Sequence, residues 1–211
     1  MSRYGIIVNV DKCVGCFACA IACKEENQVA PGIFWEKIKR EENPQARVIS
    51  YFRMSCMHCD KPACLPVCPM KAISKGPHGE VVVDQKKCIG CHACQAACPY
   101  GVPVFSTKTN ADYFGGKLPL AERPKTSWTD RMPGKAEHCT LCAHRTAEGR
   151  LPACVEACGL HAMTLVDYDK PTKETAPLIE KAKVLNKAAG TEPKIRYIAS
   201  HMDVESLAVK L

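Results

Sequence analysis

Sixteen of the 211 residues are cysteine, and they fall into four groups with none left over. Cys13, Cys16, Cys19 and Cys23 are spaced C-x2-C-x2-C-x3-C, and Cys88, Cys91, Cys94 and Cys98 repeat that spacing. Cys56, Cys59, Cys64 and Cys68 are spaced C-x2-C-x4-C-x3-C, and Cys139, Cys142, Cys154 and Cys158 are spaced C-x2-C-x11-C-x3-C. A thiol can cross-link, attack or ligate a soft metal. A disulfide framework suits a small secreted chain, whereas this chain is long and shows no signal peptide. Thiols two residues apart are also poorly placed to bridge distant segments. Zinc ribbons use two C-x2-C knuckles, whereas three of these groups are compact quartets.

Iron–sulfur chemistry remains. Three cysteines at i, i+3 and i+6 in a tight loop can hold three corners of one [4Fe–4S] cubane. Gly15 and Gly90 suit a backbone whose amides approach the sulfurs closely. The fourth cysteine, four residues later, is expected to begin a helix that leads away. The groups are also related in pairs. KCVGCFACAIAC (12–23) matches KCIGCHACQAAC (87–98), and PACLPVCPMKAI (62–73) resembles PACVEACGLHAM (152–163). The pattern is a duplication with a period of roughly 75 residues.

The quartets resemble those of two-cluster bacterial ferredoxins, in which the fourth cysteine serves the other cluster. That resemblance implies a pairing. Cys56, Cys59, Cys64 and Cys98 would hold one cluster, and Cys68, Cys88, Cys91 and Cys94 its neighbour. By the repeat, Cys13, Cys16, Cys19 and Cys158 would hold another, and Cys23, Cys139, Cys142 and Cys154 the last. Pro69 and Pro99 match the ferredoxin C-P ending, while Lys24 and Gly159 stand in its place in the other pair. The fold class expected is α+β, two bacterial-ferredoxin-like 2[4Fe–4S] units related by internal duplication. One unit comprises 1–55 with 139–168 and the other 56–105. Residues 106–138 are an inserted loop, and 169–211 a C-terminal extension.

Composition agrees. Hydrophobic residues make up 46% but aromatics only 6%, thin for a core of this size. The formal charge of +7 counts every cysteine as neutral. An oxidised cluster with four thiolates contributes about −2, so four of them leave the assembled protein near neutral. The charge argument for nucleic-acid binding then disappears. No apolar run of membrane-spanning length occurs, and the start MSRYGIIVNV shows no export signal. A folded subunit can still be exported with a partner that carries a twin-arginine signal. A soluble or membrane-associated complex, periplasmic by co-export or cytoplasmic, therefore stays open.

Between the groups, GIIVNVD (5–11), GEVVVD (79–84), 46–52 and PKIRYI (193–198) read as strands. TAPLIEKAKVLNKAAG (175–190) reads as a helix stopped by Gly190. ASHMDVESLAVKL (199–211) reads as a tail that orders on a partner. Trp35 reads as packed rather than stacked on a cofactor. His58, His92, His138, His144 and His161 lie near the groups but are not needed as ligands, since all sixteen thiols are present. Lys24 is either a cation that raises a cluster potential or a solvated lysine. No dinucleotide or phosphate-loop motif and no nucleophile–base arrangement is found. Clusters held by four cysteines have no open iron and pass single electrons.

The order of the groups, the x4 and x11 gaps and CPYGVPVF (98–105) resemble the four-cluster iron–sulfur subunit of the dimethyl sulfoxide reductase, or complex iron–sulfur molybdoenzyme, family over about residues 4–165. The resemblance implies a non-catalytic electron-transfer subunit. Its partner would carry molybdenum or tungsten on a bis-pterin cofactor, molybdopterin belonging to that partner alone. A membrane quinone-reactive subunit or a soluble carrier would stand at the other end. It also implies a line of clusters, with that of Cys13, Cys16, Cys19 and Cys158 nearest the catalytic subunit and that of Cys56, Cys59, Cys64 and Cys98 outermost. The alternative is a polyferredoxin module of a hydrogenase or heterodisulfide-type complex. The anaerobically purified protein should contain about sixteen irons per chain by elemental analysis; a colourless zinc protein would overturn the iron–sulfur reading.

Overall fold

The structure is a computed structural model and describes residues 2–108 and 131–211. Of the inserted loop expected over 106–138, residues 109–130 lie outside the described residues. The mixture of short helices and strands agrees with the α+β class.

The first strand, β1 (Tyr4–Asn9), is rich in β-branched residues and buried on both faces. Two-period alternation sends Ile6 and Val8 into the main core and Ile7 into a smaller one on the opposite face. A 3-10 turn at Val10–Lys12, capped by Asn9, then leads into the first cysteine loop. Helix α1 (Ala18–Glu26) follows. A long hairpin comes next, β2 (Glu36–Asn43) and β3 (Val48–Ser55), paired in register from Glu36↔Ser55 to Asn43↔Val48. Sequence reasoning found part of β3 but missed β2. Its run EKIKREEN has no apolar alternation, and cross-strand pairing rather than burial holds most of it.

The second and third cysteine groups are joined by a smaller hairpin, β4 (Ile73–Lys75) with β5 (Val81–Val83). Helix α2 (Ala93–Ala97) follows the third loop. Strand β6 (Val104–Phe105) pairs with β7 (Ala136–Glu137) and returns the chain to the fourth group. There Cys142 caps α3 (Ala143–Thr146), α4 (Ala153–Glu156) contains Cys154, and β8 (Met163–Asp167) runs back antiparallel to β1.

The helix expected over 175–190 is only α5 (Ala176–Lys181). The chain then forms β9 (Lys183–Val184) and a separate 3-10 turn at Lys187–Ala189. Ala182, extended at φ −77° and ψ 131°, ends the helix, and Leu185 beyond it is fully buried. Strand β10 (Ile195–Ile198) lies parallel to β1, so the four-stranded sheet runs β8-β1-β10-β9. Leu178 and Ile179 of α5 pack over Ile7 and Val166 on its second face.

The tail was expected to order on a partner. It orders instead on its own chain. Val204 is buried, and Leu207, Val209 and Leu211 pack on the core while the residues between them face water. The Leu211 amide donates to the Tyr100 carbonyl at 2.8 Å. The segment before β10 also reaches the second cysteine group: the Asp60 amide donates to the Glu192 carbonyl and the Lys194 amide to the Met57 carbonyl. C-terminal residues therefore tie β1 to the second and third groups. Replacing the wholly buried Leu185 by alanine should cost about 2–5 kcal/mol, read as a lower midpoint for unfolding and cluster bleaching. A change under about 0.5 kcal/mol would show that this segment is not core.

Candidate iron–sulfur sites

The two C-x2-C-x2-C loops share one backbone path. Gly15 and Gly90 have φ of 71° and 74°, and two residues on Phe17 and His92 have φ of 64° and 62°. The chain thus turns left-handed twice, around Cys16 and around Cys91. A side chain at Gly90 would also meet the Gly134 carbonyl oxygen at 2.4 Å. The stretches after the fourth cysteines match as well: Lys71 and His161 are both left-handed, and the Ala72 and Ala162 amides donate to Cys68 Sγ and Cys158 Sγ, each at 3.3 Å. The Ala136 and Leu141 amides donate to Cys88 Sγ and Cys139 Sγ, each at 3.4 Å. Such donors are what a thiolate ligand needs, since they offset negative charge on sulfur.

The helices do not begin at the fourth cysteine, as expected, but just before the third. Cys19 and Cys23 both lie within α1, Cys94 lies within α2, and Cys98 ends it. The third cysteine thus joins the first helical turn, where backbone amides are not committed to helix bonds.

Three cavities gather the thiols. One is lined by Cys13, Cys16, Cys19 and Cys158, a second by Cys56, Cys59, Cys64 and Cys98, and a third by Cys68, Cys88, Cys91 and Cys94. They enclose about 420, 380 and 340 Å³, open mouths included, so the three are alike in size. The fourth set is Cys23, Cys139, Cys142 and Cys154, all buried, with Cys23 feeling the other three as like-charged neighbours. Among the described residues, no three His, Cys, Asp or Glu side chains converge on a point that a single metal ion would fill. The thiols instead surround a space.

Electrostatics make these cradles unfavourable for bare thiolates. Burial, then like-charged cysteines, pushes Cys64 up to about 12, with Cys59 and Cys94 each raised to about 11 chiefly by burial. Burial lifts Cys56 and Cys154 well above the usual thiol value. A cationic iron core would reverse that balance, because a coordinated thiol is deprotonated outright. The donor set therefore fits four cubane clusters.

The sets also have neighbours. Cys56 lies within electrostatic reach of Cys139, and Cys64 within reach of Cys94. The set of Cys56, Cys59, Cys64 and Cys98 is therefore interior, not outermost as the family resemblance implied. Exposure agrees: only Cys16 and Cys91 are exposed, one in each terminal set. The shift has a simple cause. The C-terminal segment and β6–β7 fold the second group against the fourth and leave the third group's loop on the surface.

Surrounding polar residues take definite roles. Lys24 is not a solvated lysine: its Nζ donates to the Val29, Ala30 and Ile33 carbonyls at 3.2, 2.6 and 2.8 Å, and Cys23 is an electrostatic neighbour of its charge. Asn27 Nδ2 approaches Cys23 Sγ, at 3.7 Å. Trp35 is packed, with its indole N–H donating to Glu137 Oε2 at 2.9 Å. His58 accepts from the Val81 amide, His138 bonds the Cys139 carbonyl, and His144 pairs with Glu26. His92 stacks on Phe105, and His161 is exposed. Sequence reasoning missed Arg53. This arginine on β3 is buried, pairs with Glu36 at 2.6 Å and donates from Nη2 to Cys139 Sγ at 3.8 Å. No local motif marks it; only the hairpin register, which puts Ile38 opposite Arg53 and Glu36 diagonal to it, brings the pair together.

The 4Fe-4S dicluster domain family matches residues 47–113 and 122–168. The iron–sulfur subunit of arsenate respiratory reductase from a Shewanella species is 35% identical, over 94% of this chain and 97% of that protein. A component of the anaerobic dimethyl sulfoxide reductase of Escherichia coli is 32% identical, over 92% of this chain and 87% of that protein. This chain belongs to the iron–sulfur subunits of the dimethyl sulfoxide reductase family. A component of the tetrathionate reductase of Salmonella typhimurium is also similar, at 32% identity over 93% of this chain and 72% of that protein. As a member of that family the chain is a four-cluster electron-transfer subunit of a reductase complex and not its catalytic part. A hydrogenase or heterodisulfide-type polyferredoxin is not favoured by these likenesses.

Gly90→Ala should lower the iron content by about four per chain, because neither the backbone angle nor the Gly134 carbonyl leaves room for a methyl group. Iron analysis after anaerobic purification checks this. Unchanged iron would show that the loop does not require the left-handed turn.

Proposed function

We propose that the sixteen cysteines ligate four [4Fe–4S] clusters by exchange of the fourth ligand between paired groups. Cys13, Cys16 and Cys19 act with Cys158, and Cys139, Cys142 and Cys154 with Cys23. Cys56, Cys59 and Cys64 act with Cys98, and Cys88, Cys91 and Cys94 with Cys68. The observation that carries this reading is that each of the three cavities takes three thiols from one group and its fourth from another. The matching left-handed turns and sulfur-directed amides support an origin by duplication of one ferredoxin-like unit.

In this reading single electrons pass along the four sites in the order of their contacts. They run from the Cys16 end through the set of Cys23 and the set of Cys56 to the Cys91 end. Each end has an exposed cysteine beside exposed apolar side chains, Val14, Phe17 and Ile21 at one and Met70 and Ile89 at the other. Apolar patches of this kind mark protein contacts. The Cys16 end takes a catalytic subunit with molybdenum or tungsten on a bis-pterin cofactor, and the Cys91 end takes a membrane quinone-reactive subunit or a soluble carrier. Among the described residues no helix is long and apolar enough to cross a membrane.

Cys23→Ser should remove the spectroscopic signal of the cluster held by Cys139, Cys142 and Cys154, and leave that of Cys13, Cys16 and Cys19 in place. Loss confined to the latter would show that Cys23 serves its own loop. The native complex should contain about one molybdenum or tungsten with about sixteen irons per copy of this chain; iron without either metal would attach the relay to a different machine.

A further inference from the structure

Arg53 and Glu36 are each 1% exposed and stand on adjacent strands at the base of the β2–β3 hairpin. Eight register pairs already join those strands. A buried ion pair is often no more stabilising than an apolar pair of similar size, so the hairpin alone gives no reason for it. What surrounds the pair does. Arg53 lines the cavity of Cys13, Cys16, Cys19 and Cys158. Its Nη2 donates to Cys139 Sγ, in the neighbouring set. Burial opposes its charge, but Glu36 and then Cys154 and Cys139 hold the guanidinium firmly protonated. Its Nη1 is buried and has no hydrogen-bond partner among the described residues. Glu36 in turn is a charged neighbour of Cys19, Cys23 and Cys154, which belong to both sets. Below the pair, the Tyr197 hydroxyl donates to the Arg53 carbonyl at 3.0 Å and fixes the strand.

We infer that Arg53 is a positioning residue shared by two iron–sulfur sites, its guanidinium lying between the Cys13 set and the Cys139 set and raising the reduction potentials of both. Glu36 orients it and limits the effect. The inference rests on the cluster assignment proposed above. Adding one electron makes a site more negative by one charge. A fixed buried cation and an N–H donor to sulfur both favour that state, so they raise the potential. A fixed buried carboxylate lowers it. One residue therefore moves two potentials in the same direction, which keeps adjacent steps of a relay matched.

The test is an anaerobic redox titration of the native complex, followed by electron paramagnetic resonance, with iron and sulfide measured on the same samples. Arg53→Met should lower the midpoints of the two sites that flank residue 53 and leave the other two nearly unchanged. Arg53→Lys, which keeps the charge but not the fork of donors, should give a smaller drop. Glu36→Gln should raise both midpoints. Four intact clusters with no midpoint shift in Arg53→Met, or a shift at only one site, would overturn the inference and leave the cluster reading standing. Fewer than four clusters in the unaltered complex would overturn the reading itself. If Arg53→Met does not assemble its clusters, Glu36→Gln decides: unchanged or lowered midpoints there would sink the inference.

Discussion

Cys19 and Cys23 stand one turn apart on α1 yet belong to different sets, and much of the fold follows from that separation. A helix holds residues i and i+4 at about 6 Å along its axis. Two thiol sets built on such a helix are neighbours and cannot drift apart. Cys19 lines the cavity that takes Cys158, while Cys23 sits among Cys139, Cys142 and Cys154. The fourth group, more than a hundred residues later in the chain, must therefore return to the first. Strand β8 does this by pairing with β1, and α4 packs against α1. Arg145 adds a clip there, with its guanidinium bonded to Glu26 of α1 and to Glu156 of α4.

The same arrangement sets the electrostatic problem. Thiols crowded and buried together resist ionisation, and aromatic side chains are too few to replace what the sites contribute to the core. The chain meets this with local means. Amides from left-handed turns point at sulfur, Asn27 approaches Cys23, and a single buried arginine lies between two sets. The C-terminal residues supply the other half of the support. They complete the sheet beside β1 and bond to the loop of the second group, so the two halves of the relay are held by one segment. That role explains why 169–211, although free of cysteine, contains several of the most deeply buried side chains, among them Leu185, Ile195 and Tyr197.

Some of this was legible residue by residue. β1, β5 and β10 announce themselves as short β-branched runs, and Gly15 and Gly90 mark turns that only a left-handed residue makes easily. Other features left no mark. β2 is charged along its length, so its strand character depends on β3. Leu185 sits in what looks like a helix, yet its neighbours β10 and Val204 require an extended chain. Lys24 follows a cysteine directly, but helix geometry turns its amine toward the carbonyls of 29–33. Arg53 has no cysteine within two residues and ends up between two cysteine sets.

The chemistry is written in the chain order: sixteen thiols at ferredoxin spacing, in four groups related in pairs. Short-range spacing sets which atoms a loop can offer, and that information is local. Which sets adjoin, which two lie at the surface, and which charge stands between them emerge with the folded chain. Those are distances between segments far apart in the chain. They are fixed by strand register and by the packing of the C-terminal residues, neither of which any single motif encodes.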